Sequence, residues 1–276
     1  MEKMLIDILL RTRCMHYLLL LLLPTVYCCN SRSNTGDAVS NPMVAGPARP
    51  AKTRLTSTTS WAYFLQHLPE EEGVVLDYKG QEISNQGKHF SIINYDVGNR
   101  DLQQCADALM RLRAEHLFAQ KRFNEIGFHF VSGQFYRFTD YCKGQKPVAS
   151  GNAVRFITTA TAVPSRQSLR KYLDLVYTYA STISLAKELK TTEAFKIGTI
   201  VIHPGSPGHC FIITDEAVAS GGEKLYKLVE GYTPAQTIYV LRNKAEPALG
   251  YWHKLKKGTI ETSSYMFKSY QLKAFE

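Results

Sequence analysis

The sequence is more readable at first by what it lacks. Tryptophan occurs only twice in 276 residues, and the six cysteines show no zinc-finger spacing. Lysine and arginine outnumber aspartate and glutamate 33 to 24, a formal charge of +9, yet no basic block gathers them. Without such a block or an RNP-type aromatic motif, nucleic acid is not an expected partner. The long apolar runs of a multi-span membrane protein are absent, as is any internal repeat. Charged residues make up only 21%, against 45% hydrophobic and 11% aromatic, which excludes wholesale disorder and supplies one sizeable core.

One apolar run does stand out. Arg11 and Arg13 precede Tyr17–Leu23, and Cys28 and Cys29 follow closely. A short apolar core behind positive charge reads as a signal peptide over residues 1–29. A cysteine directly after it suggests a lipoprotein signal, with Cys29 as the lipidation site; an ordinary cleaved signal or an uncleaved anchor is the alternative. The protein is then expected to be exported and lipid-anchored in the cell envelope, with the membrane as a partner. Residues 30–60 are rich in Ser, Asn, Thr and Pro and poor in large apolar side chains, so they read as a flexible tether with a reach of about 30 Å. Residues 61–276 read as one domain.

Within that domain the apolar periodicity sorts into helices and then strands. Ser60–Leu68 is a short helix stopped by Pro69, and Gly73–Tyr78 and Phe90–Tyr95 are short strands. Asp101–Leu117 is the clearest helix. Asp101 and Gln104 form a capping pattern, and Asp107, Arg111 and Glu115 sit four apart on another face, where they can pair. Ile126–Val131 reads as a strand and Ser165–Leu189 as a second long helix. The segments 197–203, 209–214, 224–230 and 237–241 form a strand meander. Helices first and strands later indicate an α+β fold.

Chemistry is expected where a helix start meets that meander. Cys105 lies in the first turn of its helix, where unpaired amides and the macrodipole favour a thiolate. His209 opens a strand directly after the turn Pro204-Gly-Ser-Pro-Gly208, and Glu230 ends the next strand, placed to orient an imidazole. Helix cysteine, strand histidine and neighbouring-strand polar residue is the order used by papain-like cysteine hydrolases. Gln103 or Gln104, beside the Cys105 amide, is a candidate oxyanion donor. Cys105 as a buried small hydrophobe is the bland alternative, with a non-catalytic envelope lipoprotein binding a glycan, peptide or protein as its functional counterpart.

Other chemistries are less well supported. His203, His209 and Cys210 match no zinc spacing, so neither a metal nor a cofactor is expected. Gly205–Gly208 lacks the Lys-Ser/Thr tail of a phosphate loop, and Ser206 has no nucleophile elbow around it. A Cys142–Cys210 bridge would leave Cys105 free, although cysteine arithmetic alone does not fix it. The aromatic-rich segments 251–253 and 265–267 suit either a sugar-stacking groove or core packing.

Several blocks carry a resemblance: Gln104–Glu115, Ala180–Leu185, Ile197-Gly-Thr199, Pro204-Gly-Ser-Pro-Gly-His209 and Tyr232–Gln236. Together they resemble the family called domain of unknown function 4846, from about Trp61 to the end. That resemblance implies an exported protein or lipoprotein of Bacteroides-type bacteria. A more distant similarity is to cell-wall cysteine peptidases of the NlpC/P60 and CHAP kind, with Thr199 where those have an acidic residue. It implies a papain-like arrangement, a cysteine-bearing helix packed on an antiparallel sheet with an additional long helix, acting on an amide bond such as that of a cell-wall peptide.

Overall fold

The structure is a computed structural model that describes residues 50–52, 57–151 and 153–276. The expected signal segment, Cys29 and most of the expected tether lie outside the described residues. The first half of the chain contains β1 (Ala51–Lys52), α1 (Trp61–Gln66), β2 (Glu70–Glu71), β3 (His89–Ile93), α2 (Cys105–Ala119), β4 (Gly127–His129), β5 (Phe135–Arg137), α3 (Phe138–Cys142), β6 (Gln145–Ser150) and β7 (Ala153–Thr158). It continues through α4 (Arg166–Tyr179), α5 (Thr182–Glu188), β8 (Lys190–Thr191), β9 (Ile200–His203), β10 (His209–Val218), β11 (Lys224–Glu230), β12 (Tyr239–Leu241), β13 (Trp252–His253), β14 (Ile260–Glu261), β15 (Met266–Phe267) and β16 (Gln271–Ala274).

The fold is α+β. Ten strands form one sheet, in the order β2-β3-β12-β11-β10-β9-β16-β8, with β1 added to β10 and β13 to β11. Its centre is the antiparallel meander β9–β12, as the alternating segments predict. Alternation along β10 sends Cys210 and Ile212 into the cluster built on α2 and α4, and Phe211 and Ile213 into a second cluster with Phe267 and Ile260. Both sheet faces are therefore covered. Ala51 and Lys52 pair with Val218 and Ala217, so the ladder takes in two residues of the expected tether.

Helix α2 is buried nearly all round, including Asp107, Arg111, Glu115 and His116. The expected pairing four residues apart is made inside the fold by Arg111 and Glu115. Arg111 pairs with Glu115 at 2.8 Å and with Asp96 at 3.0 Å, while Asp107 turns to the helix start. A helix clothed on all sides is a central element rather than a surface one.

Strand ends shift by a few residues, and three expected elements differ more deeply, each for a local reason. Helix α2 starts at Cys105 rather than Asp101, because the Asp107 carboxyl accepts from the Gln104 N–H at 3.1 Å. Asp101 instead accepts from the Ala235 N–H at 2.7 Å. The long helix expected over 165–189 is two helices: Ser181 is extended and its hydroxyl accepts from the Ile183 N–H, which starts α5 afresh. Gly73–Tyr78 forms only isolated bridges, since the Gln86 side chain takes both the N–H and C=O of Val75.

Candidate active site

Cys105 occupies the first position of α2. Its amide and that of Ala106 precede the first intrahelical acceptor, so both point out of the helix start. The Cys105 sulfur lies 3.9 Å from the Gly208 carbonyl, and the Ala106 amide helps to lower its pKa. The helix can approach the sheet this closely because Gly231, directly after Glu230, has no side chain. A Cβ there would lie 2.7 Å from the Ala108 Cβ and 3.0 Å from the Gln104 carbonyl oxygen.

His209 is the first residue of β10, and its ring lies within hydrogen-bonding reach of the Cys105 sulfur. Nε2 is 2.8 Å from Glu230 Oε2, which leaves Nδ1 for Cys105. Glu230 ends β11 with no exposed surface, and Tyr239, opposite it in the ladder, donates its hydroxyl to Oε1 at 2.5 Å. Tyr232, Tyr265 and Phe267 pack around the imidazole. The structure thus brings Cys105, His209 and Glu230 together in the expected order.

The electrostatics favour an ion pair. The neighbouring Cys210 thiol is the largest influence lowering the Cys105 pKa; contacts with His209 and the Ala106 amide add to it, and together they overcome burial. The Cys105 thiol is held well below its ordinary value, and that of Cys210 is pushed well above by burial and by its neighbour. For His209, burial is the largest influence and opposes protonation, but Glu230 and Cys105 outweigh it and raise the pKa to about 9.

A cleft of about 430 Å³ opens over this pair. Cys105 is 7% exposed and His209 3%, so each offers an edge rather than a face. The loop 204–208 forms one wall, and its Gly205 is linked to the Thr182 hydroxyl of α5. Asp107 and Tyr177 also line the cleft, and Asp107 Oδ1 and the Tyr177 hydroxyl are buried without partners. Burial, with the Cys105 charge adding, pushes the Asp107 carboxyl well up.

The two glutamines separate. Gln104 lines the cleft, donating to Asp101 and accepting from the Thr233 hydroxyl, both at 3.1 Å. Gln103 does not line it. It is fully buried, and its Oε1 accepts from Arg170 at 3.0 Å and Arg111 at 3.4 Å.

All three described cysteines are free, so Cys142 and Cys210 are not bridged; it is Cys105 that neighbours Cys210. Among the described residues no group of His, Cys, Asp and Glu is arranged to hold a metal, and His203 bonds instead to the Ser269 carbonyl. Of the aromatic-rich end, Trp252 and Phe267 are buried, while Tyr265 reaches the cleft.

Sequence reasoning missed Cys210 and Tyr239. Strand alternation points Cys210 away from His209, and only at a strand end can both neighbours reach one helix terminus. Tyr239 becomes visible once β11 and β12 are placed in register.

A family model described as domain of unknown function (4846) matches residues 48–274, and the chain belongs to that family. No curated protein matches the chain. No solved structure matches it either.

Proposed function

We propose that this member of the family is a papain-like cysteine hydrolase that cleaves an amide bond in the cell envelope, such as that of a cell-wall peptide. The observation that carries the proposal is the sulfur of Cys105 at a helix start, facing an imidazole whose other nitrogen is 2.8 Å from a buried carboxylate. A cysteine serving only as core packing has no need of a charged histidine partner, and its pKa would be raised by burial rather than lowered.

In this reading the Cys105 thiolate attacks the amide carbonyl, and a C–S bond forms. The oxyanion is held by the Cys105 amide, with Gln104 alongside. His209 Nδ1 gives its proton to the leaving nitrogen as the C–N bond breaks. A water then gives a proton back to Nδ1 and attacks the thioester, releasing the acid and restoring the thiolate. Glu230, fixed by Tyr239, keeps the imidazole oriented and charged.

The envelope setting rests on the apolar run before Cys28 and Cys29, with a lipid on Cys29 as the anchor. No described helix is long and apolar enough to cross a membrane.

The test is hydrolysis of purified cell-wall peptides, followed by mass spectrometry of the products. Wild-type protein is expected to release new amines, and Cys105→Ala and His209→Ala to release none. Equal product with Cys105→Ala would overturn the assignment.

A further inference from the structure

Tyr232 and Thr233 line the thiol cleft on one side and a second depression, of about 360 Å³, on the other. Lys88 and Gln236 line this second space. Lys88 is 6% exposed and Gln236 1%. Nζ of Lys88 lies 3.9 Å from the Tyr232 ring centre and 5.2 Å from that of Tyr239, with no carboxylate at ion-pair distance among the described residues. Gln236 Nε2 is buried with no hydrogen-bond partner. Asp77 also lines this space, beyond ion-pair distance of Lys88. Asp77 accepts from the amides of Lys79 and Gln81 at 2.8 and 2.9 Å, and the Ser263 hydroxyl donates to the Lys88 carbonyl at 2.7 Å.

Among the described residues, neither Lys88 Nζ nor Gln236 Nε2 meets a hydrogen-bond acceptor. Burial disfavours the Lys88 ammonium, with Glu230 opposing and Lys244 adding to that effect. A buried charge without a counter-ion and a buried amide N–H without an acceptor are both costly, and one entering anion relieves both. One ammonium and one neutral N–H suit the single charge and two oxygens of a carboxylate better than a phosphate dianion.

We infer that this depression is a carboxylate-binding subsite, in which Lys88 and Gln236 hold a carboxylate of a peptide lying across Tyr232 and Thr233 from Cys105. It rests on the reading of the thiol cleft as a peptide site, and it makes the favoured substrate an acidic peptide.

Calorimetric titration of the otherwise intact Cys105→Ala chain tests it without turnover. The probes are acetylated, amidated penta-alanine peptides carrying one glutamate at each position in turn, and the same set with glutamine. In at least one register the glutamate peptide is expected to bind roughly tenfold more tightly or better, the scale of a buried charge-assisted contact. Lys88→Met in the same background is expected to abolish that preference while keeping the affinity for the glutamine peptide. The comparison within the Cys105→Ala chain stands even if the Lys88 variant fails to fold. Equal affinities in every register, or tighter binding of inorganic phosphate than of any glutamate peptide, would overturn the subsite. Equal affinities together with hydrolysis by the parent chain would remove the subsite and leave the hydrolase. A glutamate preference with no hydrolysis would do the reverse.

Discussion

The thiol of Cys210 neighbours that of Cys105 closely enough to lower its pKa, although the two residues are far apart in sequence and belong to a strand and a helix. This contact is the largest influence holding the Cys105 thiol down. Cys210→Ala removes that thiol and leaves the rest of the pair. Alkylation of Cys105 by iodoacetamide is expected to fall, and more so toward acid pH, as read by mass spectrometry of the labelled peptide. Unchanged labelling across the range would show that the helix start and His209 suffice.

Glu230 is expected to set the alkaline limit of activity. His209 titrates at about 9, above its ordinary value near 6.5. The charged imidazole therefore adds stability that is complete below pH 6.5 and is lost as pH rises through 9. Hydrolysis should follow the same limb and decline above pH 9. Glu230→Gln keeps the hydrogen-bonding shape and removes the charge, so the limb should move down by about one pH unit or more. A pH–rate profile with the limb unmoved would detach Glu230 from His209.

Gln103 is expected to matter for stability and not for chemistry. Its carbonyl joins Arg111 of α2 to Arg170 of α4 just ahead of the helix start. Gln103→Leu leaves two guanidinium groups short of an acceptor and should cost about 1–3 kcal/mol in thermal or denaturant unfolding. The hydrolytic rate at low temperature should fall less than about threefold, whereas a lost oxyanion donor costs about a hundredfold or more.

Gly231 fixes the distance between the sheet and α2. Gly231→Ala pushes a methyl against Ala108 and the Gln104 carbonyl, and overpacking of this kind costs about 1–3 kcal/mol. Because the residue adjoins Glu230, labelling of Cys105 should slow as well. A drop in melting temperature with unchanged labelling would show that the helix yields elsewhere.

Cys29→Ala tests the proposed anchor. The protein is expected to move from membrane to soluble fractions on immunoblots, and an unchanged distribution would reject lipidation at that residue.

The sequence discloses the existence of the central meander better than the helix boundaries. β11 has the bounds that the alternation of 224–230 predicts, since a half-turn period leaves little freedom in placing its ends. Helix starts depend on which carboxylate wins an amide. Asp101 and Asp107 are both suitable caps, and only the tertiary contact of Asp101 with Ala235 decides between them. Ser181 falls inside a continuous apolar periodicity that hides the break. The triad order was legible because each member ends or begins an element. Gln103 looked like a site residue through its position beside Cys105, but its fate was set by two arginines that no local pattern brings to it.

The short pairing of Ala51 and Lys52 with the tail of β10 has a geometric consequence. His209 stands at the opposite end of that strand, about 30 Å away at the usual rise per residue. A tether of the kind proposed would join the sheet at Ala51, at the heel of that strand, with the reactive sulfur at its toe.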